Sequence, residues 1–221
     1  MLVKDCMTRH PIMVGPETLA TEARHLMSEN NIRHLPVAGD GKRLLGLITR
    51  QRLAVRPDDL SSLNVWEITR YLSKLRVDQV MIKMATHELH TIEPDKTVER
   101  AARYMTEHKI GCLPVVEEGN IVIGILTEID LLRSLQEMLG LPEPGVRVTV
   151  RMPNKKGQFA LLTSTIAQHG WGILGIGSFP SPRQPASYDM VLKIPNVTVA
   201  EVQMALSQVP DQEIVDIREV V

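Results

Sequence analysis

Ile110-Gly111-Cys112-Leu113-Pro114-Val115, the turn Glu117-Glu118-Gly119-Asn120, and Gly124-Ile125-Leu126-Thr127-Glu128-Ile129-Asp130 decide the architecture, because the pattern already stands 78 residues earlier at 32–37 and 46–52. Pro16 to Leu53 aligns without a gap on Pro94 to Leu131, with 12 of 38 positions identical. The start of each copy also matches, Val3 with Val77 and Met7 with Met81, at an offset of 74, so the second copy carries four extra residues near Ala85 to His90. A register kept over that length marks one supersecondary unit present twice.

Within the second copy Val98, Ala101, Ala102 and Met105 fall at i, i+3, i+4 and i+7, which predicts a helix of about three turns after Pro94 and Asp95. Leu113 to Val116, the Gly-containing turn, and Ile121 to Leu126 read as strand, turn and strand, and a second helix opens at Thr127. The order per copy is β-α-β-β-α. One copy alone leaves a sheet face uncovered, so two copies are expected to pack face to face. Between them, Val65, Ile68, Tyr71, Leu72 and Leu75 predict an amphipathic connecting helix.

Leu141-Pro142-Glu143-Pro144-Gly145 breaks the pattern, and Val146, Val148, Val150 and Met152 then alternate with Arg147, Thr149 and Arg151 as in a half-buried strand. A helix through Phe159, Leu162 and Ile166, strands at 173–179 and 188–194, a helix at 199–206 and a strand at 214–220 complete a βαββαβ order. Gly175 and Gly177 lie inside an apolar run without GxGxxG spacing, so close strand packing is expected there. The domains are therefore 1–139 (copy one 1–60, connecting helix 61–76, copy two 77–139), a linker 140–145, and 146–221. The fold class is α/β in the broad sense, or α+β.

The chain has 221 residues, 43% hydrophobic and 23% charged, with a formal net charge of -1. That balance gives no global field for nucleic acid or acidic membrane, and 3% aromatics offer few platforms for base stacking. Charges at Lys4, Asp5, Arg9, Glu17, Glu22 and Arg24 interrupt the first thirty residues, so neither a signal peptide nor a membrane span is expected and a cytoplasmic location is. Two cysteines, Cys6 and Cys112, fit a reducing compartment without a disulfide framework. No Ser-His-Asp, Cys-His or phosphate-loop arrangement stands at a recognisable spacing, and the repeat and terminal domain use up the chain, so no enzyme activity is expected.

Cys6-Met7-Thr8, Ile32 to Val37 and Gly46 to Thr49, repeated as Val80-Met81, Ile110 to Val115 and Gly124 to Asp130, resemble the CBS motif over residues 1 to 135. The resemblance implies a tandem CBS pair, or Bateman module, with two clefts in which AMP, ADP, ATP or another adenosine compound binds. Val65-Trp66-Glu67 and Leu72-Ser73-Lys74-Leu75 are similar to acetoin-utilisation proteins of this type. The βαββαβ region, with Pro153-Asn154-Lys155-Lys156-Gly157 after its first strand, resembles the ferredoxin-like ACT domain, although Asn154 and Lys156 stand where Asp and Pro are usual. Together these imply a regulatory homodimer acting on a metabolic enzyme, and an assembly module with vestigial clefts is the alternative.

Thr127 and Asp130 sit across the first turn of a helix, where they either cap it or hold a ligand: an Asp accepts from both ribose hydroxyls, and a Thr hydroxyl reaches a phosphate oxygen. In copy one the carboxylate position is Arg52, beside Thr49, so the clefts are unequal. Arg33 and His34 replace Gly111 and Cys112, and with Arg52 they form either an anion site or a solvated surface. Thr8, Arg9 and His10 belong to a segment that, in CBS pairs, crosses to the cleft of the other copy's Asp. His87 and His90 flank Glu88 in the insertion and read as polar loop rather than metal ligands.

Overall fold

The computed structural model describes residues 1–53, 70, 73–86, 88–182 and 184–220. Its contacts divide into two compact units, Met1–Leu131 and Leu132–Val221.

The first unit contains α1 (Val3–Cys6), β1 (Thr8–Arg9), α2 (Ala20–Glu29), β2 (His34–Ala38), β3 (Leu44–Thr49), α3 (Val77–Val80), β4 (Ile82–Lys83), α4 (Val98–His108), β5 (Cys112–Glu117) and β6 (Ile121–Thr127), and the start of α5 (Glu128–Met138). The predicted stripe is the buried face of α4: Val98, Ala101 and Met105 are covered, and the Thr97 hydroxyl caps its start by accepting from Arg100 N. The turns between paired strands place Gly41 at φ 63 and Gly119 at φ 77, which is why a glycine stands there in both copies. Most of the expected connecting helix, 61–76, lies outside the described residues; Arg70 is helical, and Ser73 and Lys74 form a turn.

Each copy lends its opening segment to the other. β1 pairs with β6 as Thr8↔Ile125 and Arg9↔Gly124, giving the sheet β1-β6-β5, while β4 pairs with β3 as Gly46↔Lys83 and Leu47↔Ile82, giving β2-β3-β4. The exchange obeys the repeat: Val3 N donates to Lys96 O at 2.8 Å, and Val77 N donates to Thr18 O at 2.9 Å. Val3 and Met7 accordingly sit in copy two's core with Leu113 and Leu126, and Val77 in copy one's with Leu35 and Ile48. Leu44 and Leu47 pack against Val116, Val122 and Ile125, which buries the sheet face a lone copy would expose.

The second unit follows the rest of α5 with β7 (Gly145–Pro153), α6 (Gln158–Gln168), β8 (Gly175–Pro180), β9 (Ser187–Ile194), α7 (Val199–Leu206) and β10 (Glu213–Val220). The antiparallel sheet runs β10-β7-β9-β8, the ferredoxin-like order. Val146, Val148, Val150 and Met152 meet Leu162, Ile166, Val202 and Leu206 of the two helices. At Gly175 a Cβ would lie 2.3 Å from the Leu139 carbonyl carbon, so this glycine serves close backbone packing rather than a phosphate loop. Among the described residues no helix is long and apolar enough to cross a membrane.

Candidate functional site

Two clefts lie along the exchanged strands. On one side β1 and the residues after it bring Thr8, His10, Pro11 and Ile12 to the N-terminus of α5, around a cavity of about 420 Å³. Arg33, His34, Gly111, Ile125, Thr127 and Glu128 are also on its wall. The volume is that of a small-molecule site. His10 takes a left-handed backbone, φ 48, with its N–H on Ile123 O at 3.2 Å, and that turn carries the chain from β1 into the cleft.

Asp130 is buried, 6% exposed, and is absent from the cavity wall. Its Oδ2 accepts from Thr127 N at 2.8 Å and from Thr127 Oγ1 at 2.7 Å, while Asp130 N donates back to Thr127 Oγ1 at 3.4 Å. The pair thus forms a reciprocal cap that answers two of the helix's end donors. Arg9 also lies off the wall, its guanidinium donating to Lys4 O at 2.8 Å.

The second cleft, about 790 Å³, has Thr49, Arg50, Arg52 and Ile82 on its wall and shares Arg33, His34, Gly111 and Glu128 with the first. Thr49 Oγ1 accepts from Arg52 N at 3.3 Å, repeating the Thr127 geometry with a guanidinium where copy two has a carboxylate. Arg33, Arg52, Lys109, Glu88 and Glu128 all line it, and Arg50 spends its guanidinium on the carbonyls of Met27 and Ile32, each at 3.3 Å. Burial holds the His34 imidazole below its ordinary pKa, the Arg33 charge lowers it further, and Glu128 partly offsets both. Burial, with Glu128 beside it, pushes the Cys112 thiol up to about 12, so this group stays protonated at neutral pH. Cys6 and Cys112 are both thiols.

The structure therefore gathers Thr8, His10, Arg33, His34 and Thr127 around one cavity and Arg33, His34, Thr49 and Arg52 around the other. Glu128, on both walls, escaped the sequence reading, although it occupies the repeat position of Arg50. His90, expected as plain polar loop, has its ring centroid 4.0 Å from that of His108 and its Nδ1 3.2 Å from the Tyr104 hydroxyl, and it lines the second cleft. His87 lies outside the described residues, among which no group of three or more His, Cys, Asp or Glu is placed to hold a metal.

Three solved structures share this pair. An AcuB protein assigned to acetoin utilization from Vibrio cholerae is 31% identical over 64% of this chain and 94% of that one, with a TM-score of 0.53. The CBS domain pair of protein MJ0100, solved with 5'-methylthioadenosine and S-adenosyl-L-methionine, is 27% identical over 61% and 95%, TM-score 0.50. CBSX2 solved with AMP is 26% identical over 61% and 95%, TM-score 0.50. Among curated relatives, the homoserine O-acetyltransferase of Methanocorpusculum labreanum is 31% identical over 63% of this chain, which spans only 25% of its length. The CBS domain model matches residues 3–56 and 77–137, more than half of the sequence, and the chain belongs to the CBS domain family.

Proposed function

We propose that this chain is a non-catalytic, cytoplasmic regulatory protein that binds AMP, ADP, ATP or another adenosine compound in the Thr127 cleft and passes occupancy to a metabolic enzyme, in acetoin utilisation. The observation that carries the reading is the 420 Å³ cavity between the exchanged β1 and the N-terminus of α5, in a pair whose relatives were solved with adenosine compounds. Thr127 and the α5 N-terminus suit phosphate oxygens, and Arg33 and His10 add charge and donors. Asp130 takes the ribose hydroxyls, exchanging part of its cap for them. The similarity to AcuB supports the pathway. The ferredoxin-like unit acts as an ACT-type transmission domain, and Asn154 and Lys156 weigh against amino-acid binding there.

Asp130→Asn tests this, because the amide oxygen still accepts from Thr127 N and Oγ1 and keeps the cap, while the charge that ribose hydroxyls would use is gone. AMP affinity by calorimetry should fall at least tenfold, since a hydrogen bond to a charged group contributes about 1.5–3 kcal/mol. An unchanged affinity would remove Asp130 from the site. The assembly-module reading has its own observations, Arg52 in the carboxylate position and Asp130 engaged in a cap. It takes over if AMP, ATP and S-adenosyl-L-methionine all give no heat.

A further inference from the structure

We propose that the Thr49 cleft is a site for a small polyanion of the pyrophosphate class, and that its occupancy weakens a phosphate-bearing nucleotide in the other cleft because both draw on Arg33. The second clause rests on the nucleotide reading above; the first stands without it.

The two copies make the comparison inside one molecule. At the repeat positions of Asp130 and Gly111 stand Arg52 and Arg33, so one cleft loses the group that would accept from a ribose and gains two guanidinium groups. Lys109, at the repeat position of Asn31, adds a third cation to the wall. Glu88 and Glu128 are the opposing carboxylates, and His34 and His90 supply ring nitrogens. With Arg50 the wall carries four cations against two carboxylates, which leaves the cleft positive, and Thr49 adds a hydroxyl at the start of the following turn. Guanidinium groups that are not spent on backbone carbonyls, as Arg50's is, suit bidentate contact with phosphate oxygens.

Coupling follows from the shared wall. Arg33 lines both cavities, is exposed, and has only Gly111 as its counterpart from the other copy, so one cation serves two anion positions. Glu128, also on both walls, repels an anion in either. An anion that holds Arg33 in one cleft withdraws it from the other, and the resulting change in affinity is reciprocal.

The test titrates sodium pyrophosphate into the full chain by calorimetry, for the wild type, Arg52→Ala and Arg33→Ala, and then titrates AMP and adenosine with and without saturating pyrophosphate. Pyrophosphate should bind the wild type, weaken at least tenfold in Arg52→Ala, and raise the AMP Kd several-fold while leaving the adenosine Kd unchanged. In Arg33→Ala the antagonism should vanish. Absent pyrophosphate binding, or binding insensitive to Arg52→Ala, overturns the site whatever AMP does. Pyrophosphate that binds through Arg52 without altering AMP, or that weakens adenosine equally, overturns the coupling. If AMP does not bind at all, the nucleotide reading and the coupling fall together, and the pyrophosphate titrations alone decide the site.

Discussion

Replacing the strand glycines Gly46 and Gly124 by alanine separates two nearly equivalent positions by the backbone each would strike. Both lie on the central strand of a three-stranded sheet, opposite the strand received from the other copy. A Cβ at Gly124 would sit 2.4 Å from Met7 Sδ and 3.1 Å from Thr8 O; at Gly46 it would sit 2.5 Å from Met81 Sδ and 2.6 Å from Ile82 O. A methionine sulfur is the end of a flexible chain and can move. The Ile82 carbonyl belongs to paired β4 and must shift with its strand. Overpacking of this kind costs about 1–3 kcal/mol, against roughly 0.4–1 kcal/mol gained through a stiffer unfolded chain. Gly46→Ala should therefore destabilise the first unit by about 1–2 kcal/mol and lower its melting temperature by roughly 2–8 °C, with Gly124→Ala near neutral. Thermal melts followed by far-ultraviolet circular dichroism measure both. A Gly124→Ala loss as large as that of Gly46→Ala would refute the reasoning that backbone, rather than the methionines, sets the cost.

His34 and His90 are both held below the ordinary imidazole range by burial, His34 also by Arg33 and His90 also by His108. The unfolded chain then binds more protons below about pH 6.5, so stability should be full above that value and fall as the pH drops towards the folded pKa values; denaturant midpoints from pH 7.5 to 5.5 should decline, with a shallower slope in a His34→Gln, His90→Gln double variant. Lys193 is 3% exposed and its Nζ has no hydrogen-bond partner among the described residues. Lys193→Met should raise the stability of the second unit by about 1–3 kcal/mol, read by urea denaturation, and a loss would show that the amine is compensated. β8 and β10 are open sheet edges, and Ile176 and Phe179 on β8 are exposed, so light scattering should find a species of twice the 24.7 kDa chain mass at micromolar concentration; the chain mass alone would exclude the dimer.

The fold was readable because its determinants are periodic. The stripe at Val98, Ala101 and Met105, the turn glycines Gly41 and Gly119 and the alternation from Val146 to Met152 each follow from local chain geometry, and each stands where the pattern put it except at Thr149, which is buried with its neighbours. Strand exchange is different in kind. Nothing in the composition of Thr8-Arg9 or Ile82-Lys83 says which sheet receives them, since either copy offers an equivalent edge; the crossing was an expectation from family resemblance, and the Val3 to Lys96 and Val77 to Thr18 hydrogen bonds display it.

The difference between the clefts was legible where the copies disagree. Gly46 and Gly124 match and serve the shared scaffold, and Thr49 and Thr127 match with one on each cavity wall, so what distinguishes the clefts lies in the mismatches Arg33 with Gly111, His34 with Cys112 and Arg52 with Asp130. Comparison at the same offset also reaches Glu128 with Arg50, a mismatch inside the motif itself. What the offset cannot supply is orientation. Arg9 turns back to Lys4 O, Arg50 to Met27 O and Ile32 O, and Asp130 to Thr127, so three charged groups next to the clefts are held by local partners. Arg33 is the cation both cavities share, and whether the molecule treats its two clefts as independent sites or as one divided site turns on that side chain.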